Sequence, residues 1–140
     1  MKRIYFDYAA TTPVDKKVIE AMSPYFSEKF GNPGSLHSFG QDALKAVDES
    51  REKIAKALNA DFREIIFTGS ATEANNLALR GIIKSIKYQV LSIKYPRIIV
   101  SAIEHESILD TCRALEKEGV EVIYLPVDKN GFVNLKKLKE

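Results

Sequence analysis

The chain has 140 residues, 45% of them hydrophobic and 29% charged, which is ordinary globular composition and sets an expectation of about one domain. Its 21 Lys and Arg are interleaved with 19 Asp and Glu for a formal net charge of +2, too small and too evenly mixed for a nucleic-acid footprint, so no nucleic-acid partner is expected. With one cysteine there is no internal disulfide, no apolar run approaches the roughly 18 residues of a membrane span, and a soluble protein in the cytosol is the default expectation.

In chain order, Met1 to Asp7 has too short an apolar stretch for a signal peptide, and Ile4, Tyr5 and Phe6 predict a short strand that turns at Ala9 to Pro13. Asp15 can cap a helix carrying Val18, Ile19, Met22, Tyr25 and Phe26, which Pro24 should kink or divide because it lacks a backbone donor. Gly31-Asn32-Pro33-Gly34-Ser35 is a loop by composition. From Phe39 to Leu58, Leu44, Val47, Ile54 and Leu58 mark one face of the clearest helix in the chain.

Glu64 to Thr68 predicts a buried strand, Gly69 to Thr72 a small-residue loop, and Leu77, Leu79, Ile82, Ile83 and Ile86 a second long helix. Tyr88 to Pro96 is expected to be a connection, Arg97 to Ser101 a strand, and Ile108, Leu109, Cys112 and Leu115 the apolar face of a third helix. Gly119 suits that helix's C-terminal cap, and Val120 to Leu125 predicts a further strand. Asn134 can cap a last helix of under two turns, so the sequence reads as cut inside a domain; its Lys136, Lys137 and Lys139 read as a solvated face. Strands alternating with helices predict an α/β architecture with a largely parallel sheet.

Three places carry candidate chemistry. The loop Thr68-Gly69-Ser70-Ala71-Thr72, between a strand and a helix, is where unpaired backbone donors and the helix dipole could receive a phosphate, with the Thr72 hydroxyl as one more donor. The same residues match a capping box of Ser70 and Glu73, and local pattern leaves both readings open. His105 follows a strand's carboxyl end, the rim where open α/β sheets hold ligands, and could stack on a planar group or move a proton; a plain capping or surface role is the alternative. Glu104-His105-Glu106 has no second histidine at helical spacing, so no metal site is expected. His37 lies in the loop after Asn32-Pro33 and reads as a turn residue, and Cys112 shares a face with Ile108 and Leu115, which favours packing over nucleophilic chemistry.

Taken together, residues 5–13 (YFDYAATTP), 30–37 (FGNPGSLH), 67–78 (FTGSATEANNLA) and 104–111 (EHESILDT) resemble, in order, the N-terminal signatures of the cysteine desulfurases, NifS/IscS-like pyridoxal-phosphate (PLP) enzymes of aminotransferase class V. The resemblance implies the N-terminal part of the PLP-dependent aminotransferase-like fold (fold type I). Residues 1–13 would form an arm or small-domain segment and residues 14–140 an incomplete three-layer αβα large domain. It also implies that Ala71 and Thr72 bind the PLP phosphate and that His105 stacks on the pyridine ring and assists proton transfer. The family turns L-cysteine into L-alanine and leaves the sulfur as a persulfide on an enzyme cysteine, for iron–sulfur cluster or thiolation pathways.

The Schiff-base lysine, the aspartate that pairs with the pyridine nitrogen and the persulfide cysteine have no match in this chain, so it is expected to be inactive without the C-terminal remainder. The implied partners are that remainder, a second copy in a homodimer, and a sulfur acceptor or scaffold protein. The order Gly69-Ser70, where the family usually has Ser-Gly, moves the most permissive backbone position one residue earlier. In the family's sheet the first large-domain strand is separated from the next two by later strands, so this chain alone is not expected to hold the native fold. Alternatives are selenocysteine lyase or another class V enzyme, a catalytically inactive remnant or interaction module, and a small nucleotide-binding α/β domain, which would need more glycines than this loop has.

Overall fold

The computed structural model describes residues 3–89 and 96–139. The chain divides into two compact units, Met1–Ile66 and Phe67–Glu140.

In the first unit, α1 (Lys16–Met22) opens where the Asp15 side chain accepts from the Lys17 N–H at 2.8 Å. As the position of Pro24 predicts, the α-helix stops at Met22 and continues as a 3₁₀ turn over Ser23–Phe26 with the proline in its first turn, where no backbone donor is needed. The loop after it runs into α2 (Ser38–Leu58), which ends on Asn59 in the left-handed conformation at φ 52°. Two glycines permit that loop to lie against the start of α2. A Cβ on Gly31 would strike the Phe39 backbone, and one on Gly40 the backbone of Ser35 and Asn32.

Two strand expectations fail here. Residues 4–6 join no ladder: the Tyr5 hydroxyl folds back to the carbonyls of Asp7 (2.8 Å) and Thr11 (3.2 Å), and Phe6 is 91% exposed. Residues 62–64 form a 3₁₀ turn closed by a capping box between Asp61 and Glu64, and residues 65–68 belong to neither strand of the sheet, with Ile66 66% exposed. The physical reason is common to both. An apolar run supplies the side chains of a strand but not the neighbouring backbone that a ladder needs.

The second unit is a β-α-β crossover preceded by a long helix: α3 (Ala71–Gln89), β1 (Arg97–Ser101), α4 (Glu106–Lys117), β2 (Glu121–Leu125) and a short α5 (Leu135–Lys139). The expected connection after α3 begins later than Tyr88, since the helix reaches Gln89, and residues 90–95 lie outside the described residues. β1 and β2 pair in parallel with Arg97 opposite Glu121 and Ser101 opposite Leu125. Gly119, at φ +84°, makes the turn from α4 into β2, as expected of a glycine just past a helix end. The Asn134 side chain accepts from the Lys136 and Lys137 N–H groups at 3.0 and 3.4 Å and caps α5.

The core lies between α3, α4 and the strands. Ile83, Leu115 and Val120 form one cluster, Val100, Leu109 and Cys112 another, and Leu79, Ile98 and Val122 touch both. Leu115 is 2% exposed, so truncating it leaves a cavity in the centre of this layer. Leu115→Ala should cost about 3 kcal/mol in a urea unfolding experiment, within the range for buried leucines, with an unchanged urea slope. A second tie joins α4 to β2, where the Tyr124 hydroxyl donates to Glu116 at 2.9 Å. Desolvation, then donation to the Glu116 carboxylate, push the Tyr124 phenol up to about 12. Because the folded value exceeds the unfolded value of about 10, the folded state holds this proton more tightly. The stabilisation is complete below that unfolded value and is lost as pH rises toward about 12. Thermal melts across this alkaline window should fall less steeply for Tyr124→Phe than for the parent chain.

Candidate functional site

α3 and α4 run side by side in the same direction. Near their starts Asn75 donates to the Ser107 hydroxyl at 2.9 Å; farther along, Ile83 packs on Leu115, and Arg80 meets Glu118, just past α4, at 2.8 Å. Two helix N-termini therefore emerge together, and α4 starts shortly after the carboxyl end of β1. This is the rim at which open α/β sheets take ligands.

At the start of α3 the expected cap is present in altered form. Ser70 Oγ accepts from the Glu73 N–H at 3.2 Å, but the Glu73 carboxylate returns to the Gly69 N–H at 2.7 Å and not to Ser70. The Ala74 N–H is taken by the Ser70 carbonyl at 3.1 Å. The N–H groups of Ser70, Ala71 and Thr72, and the exposed Thr72 hydroxyl, have no acceptor among the described residues. Cap and anion cradle use different donors, so the two readings left open by the sequence are compatible. Gly69 is not at positive φ and neither is Ser70, so the exchanged Gly-Ser order makes no conformational demand that only glycine could meet.

His105 is the N-cap of α4. Its Nδ1 lies 3.1 Å from the Ser107 backbone nitrogen and 2.9 Å from Ser107 Oγ. The ring is exposed, and His105 and Thr72 line one groove of about 390 Å³, together with Asn76 and Ser107. Ala71 belongs to the same helix start but is not in the groove lining. His37 lies in the first unit and caps α2, its Nδ1 accepting from the Gly40 N–H at 3.4 Å. Reading the sequence missed Asn75 and Ser107. A hydroxyl two residues after a histidine at a helix start was the available signal for Ser107; nothing local marks Asn75, whose partner is 32 residues away.

Cys112 is 0% exposed among Val100, Leu109, Ile108 and Tyr124, and burial, then the charge of Glu116, push its thiol upward. Packing is its role in this fold. A thiol reagent should leave Cys112 unmodified in the folded protein and react stoichiometrically once urea unfolds it; rapid native labelling would contradict the buried position.

The family model for aminotransferase class V matches residues 4–140, and the chain belongs to that family, whose members are PLP enzymes. It is 52% identical over 141 residues to the cysteine desulfurase IscS of Dictyoglomus turgidum, covering 100% of this chain and 34% of the relative. The cysteine desulfurase IscS of Rickettsia massiliae is 53% identical over 137 residues, covering 97% and 32%. Among solved structures, a NifS-like protein superposes with a TM-score of 0.86 at 39% identity, covering 99% of this chain and 36% of that one. A structure described as SspA in complex with cysteine gives a TM-score of 0.81 at 40% identity, covering 96% and 38%. The chain spans about a third of the length of the curated relatives it matches. The architecture is accordingly the N-terminal part of the α/β fold of these PLP-dependent enzymes.

Proposed function

We propose that these residues are the N-terminal portion of a cysteine desulfurase that binds PLP, converts L-cysteine to L-alanine and passes the sulfur to an enzyme cysteine as a persulfide. The observation that carries this reading is the meeting of two features at one rim: unclaimed donors at Ala71 and Thr72, and the exposed ring of His105 across the same groove as Thr72. The relatives named as cysteine desulfurases, about half identical across essentially the whole chain, support the same reading and disfavour an inert remnant.

The donor set fits the cofactor. A phosphate needs several N–H or O–H donors and no free carboxylate beside them: the Glu73 carboxylate is engaged by the Gly69 N–H, and Glu106 and Asp110, which line the same groove as Thr72, are both paired with Arg113. Ala71 and Thr72 would hold the phosphate with their backbone N–H groups, and the Thr72 hydroxyl would add a third donor, strengthened by the positive end of the α3 dipole. His105 would lie against the ring and exchange a proton with the reacting substrate, its place set by the cap it makes on α4. When bound, PLP supplies the electron sink for breaking bonds at the substrate's α-carbon. The lysine that anchors the cofactor and the cysteine that takes the sulfur have no counterpart here, so the remainder of the enzyme completes the site. The whole enzyme would be a cytosolic homodimer delivering sulfur to an acceptor or scaffold protein.

The test is complementation. Mixing this chain with PLP and the C-terminal remainder should give the visible absorbance of bound PLP and desulfurase activity, whereas this chain alone should give neither. In the assembled enzyme Thr72→Ala should weaken PLP binding about tenfold, the effect of one hydrogen bond to a charged group. An assembled enzyme without a PLP band, or one whose PLP affinity ignores Thr72→Ala and His105→Ala alike, would overturn the assignment.

A further inference from the structure

Both histidines of the chain cap helices through Nδ1, but among the described residues only His105 has a hydroxyl at that nitrogen. The polarity of its contacts follows from what each group can do. A backbone N–H only donates, so at 3.1 Å from the Ser107 nitrogen the His105 Nδ1 must be an acceptor. The Ser107 hydroxyl, 2.9 Å from the same Nδ1, must then give its proton to it. With its proton committed, Ser107 Oγ is left as an acceptor, and the Asn75 amide fills that place from α3 at 2.9 Å. A further contact steadies the turn, since the Thr111 hydroxyl, on a buried residue, donates to the Ser107 carbonyl at 2.9 Å. All donors run one way, from α3 through α4 to the imidazole.

We propose that Ser107 and Asn75 are positioning residues for His105: they hold Nδ1 as an acceptor and so leave the proton of the neutral imidazole on Nε2, on the far edge of the ring. The network ties the orientation of the ring to the packing of α3 on α4. The same α3 start provides Ala71 and Thr72, so one helix locates both the anion cradle and the histidine. The catalytic consequence rests on the cofactor reading above. If His105 serves PLP chemistry, Nε2 is the nitrogen that exchanges the proton, because Nδ1 is occupied by two donors.

The experiment uses the enzyme assembled from this chain and its C-terminal remainder, with only this chain carrying ¹⁵N-histidine, so that His37 and His105 are the two signals. His37→Gln assigns them. Long-range ¹H–¹⁵N correlation, at alkaline pH and with PLP removed, reads which nitrogen bears the proton. The parent should show His105 protonated on Nε2. Ser107→Ala should raise the Nδ1-protonated fraction about fivefold, the worth of one ordinary hydrogen bond. Asn75→Ala should move it the same way by less, and Ser107→Thr, which keeps the hydroxyl, should restore the parent ratio. An unmoved His37 signal in each variant reports that the first unit is kept, and protection of the buried Cys112 from a thiol reagent reports that α4 keeps its packing.

A parent ring protonated on Nδ1, or a Ser107→Ala ratio equal to the parent's, would overturn the inference. A shift in Ser107→Ala with none in Asn75→Ala would overturn the part given to Asn75. PLP is then added to the same samples. Tautomer shifts as described, with no PLP band in the parent, would leave the network standing and remove the cofactor reading instead.

Discussion

Leu109, Cys112 and Leu115 present one face of α4 to β1, β2 and α3, and that buried face sets the position of everything near it. Each such side chain contributes roughly 1.5–3 kcal/mol by leaving water. The ion pairs around it, such as Arg80–Glu118 and Arg97–Glu121, are exposed and contribute at most about 1 kcal/mol each. The core therefore decides how far α4 slides along α3. With Ile83 set against Leu115, the two helix starts fall within about one turn of each other, and Thr72 and His105 come to line the same groove.

The caps show how stability and function share a short stretch of chain. Every helix start leaves donors without partners, and a protein can satisfy them with its own side chains or with a ligand. At α3, Ser70 and Glu73 satisfy the N–H groups of Glu73 and Gly69, and the donors between them stay open. At α4, His105 is itself the cap, and the contact that closes the helix also orients the imidazole. The function proposed above requires an anion held at one point and a ring at another. Two adjacent helix N-termini are an economical way of providing both.

The first unit has a different balance. Ala55 is its one buried hydrophobic residue among those described, while Phe6 and Leu36 are more than 90% exposed. Its helices rest mainly on local caps, Asp15 at α1 and His37 and Asn59 at the ends of α2, with Arg51 of α2 donating to the Ile65 carbonyl at 3.3 Å and lying over the Phe62 ring. Capping and propensity contribute about 1 kcal/mol per site, far less than a closed core does.

Residues whose partners are near in sequence were legible in advance. The Asp15 and Asn134 caps, the break at Pro24, the span of α2, the turn at Gly119, and the burial of Cys112 all follow from spacing and side-chain chemistry, and all appear in the structure. The strands expected at residues 4–6 and 64–68 were read from apolar character, which cannot say whether a second strand lies alongside; β1 and β2 form because each supplies the other's ladder. The sequence by itself determined the helices, their caps and the family signatures, because those depend on groups within a few residues of one another. Only the tertiary structure decided that Asn75 reaches Ser107 and that Thr72 shares a groove with His105, because those distances depend on how one buried helix face settles against its neighbours.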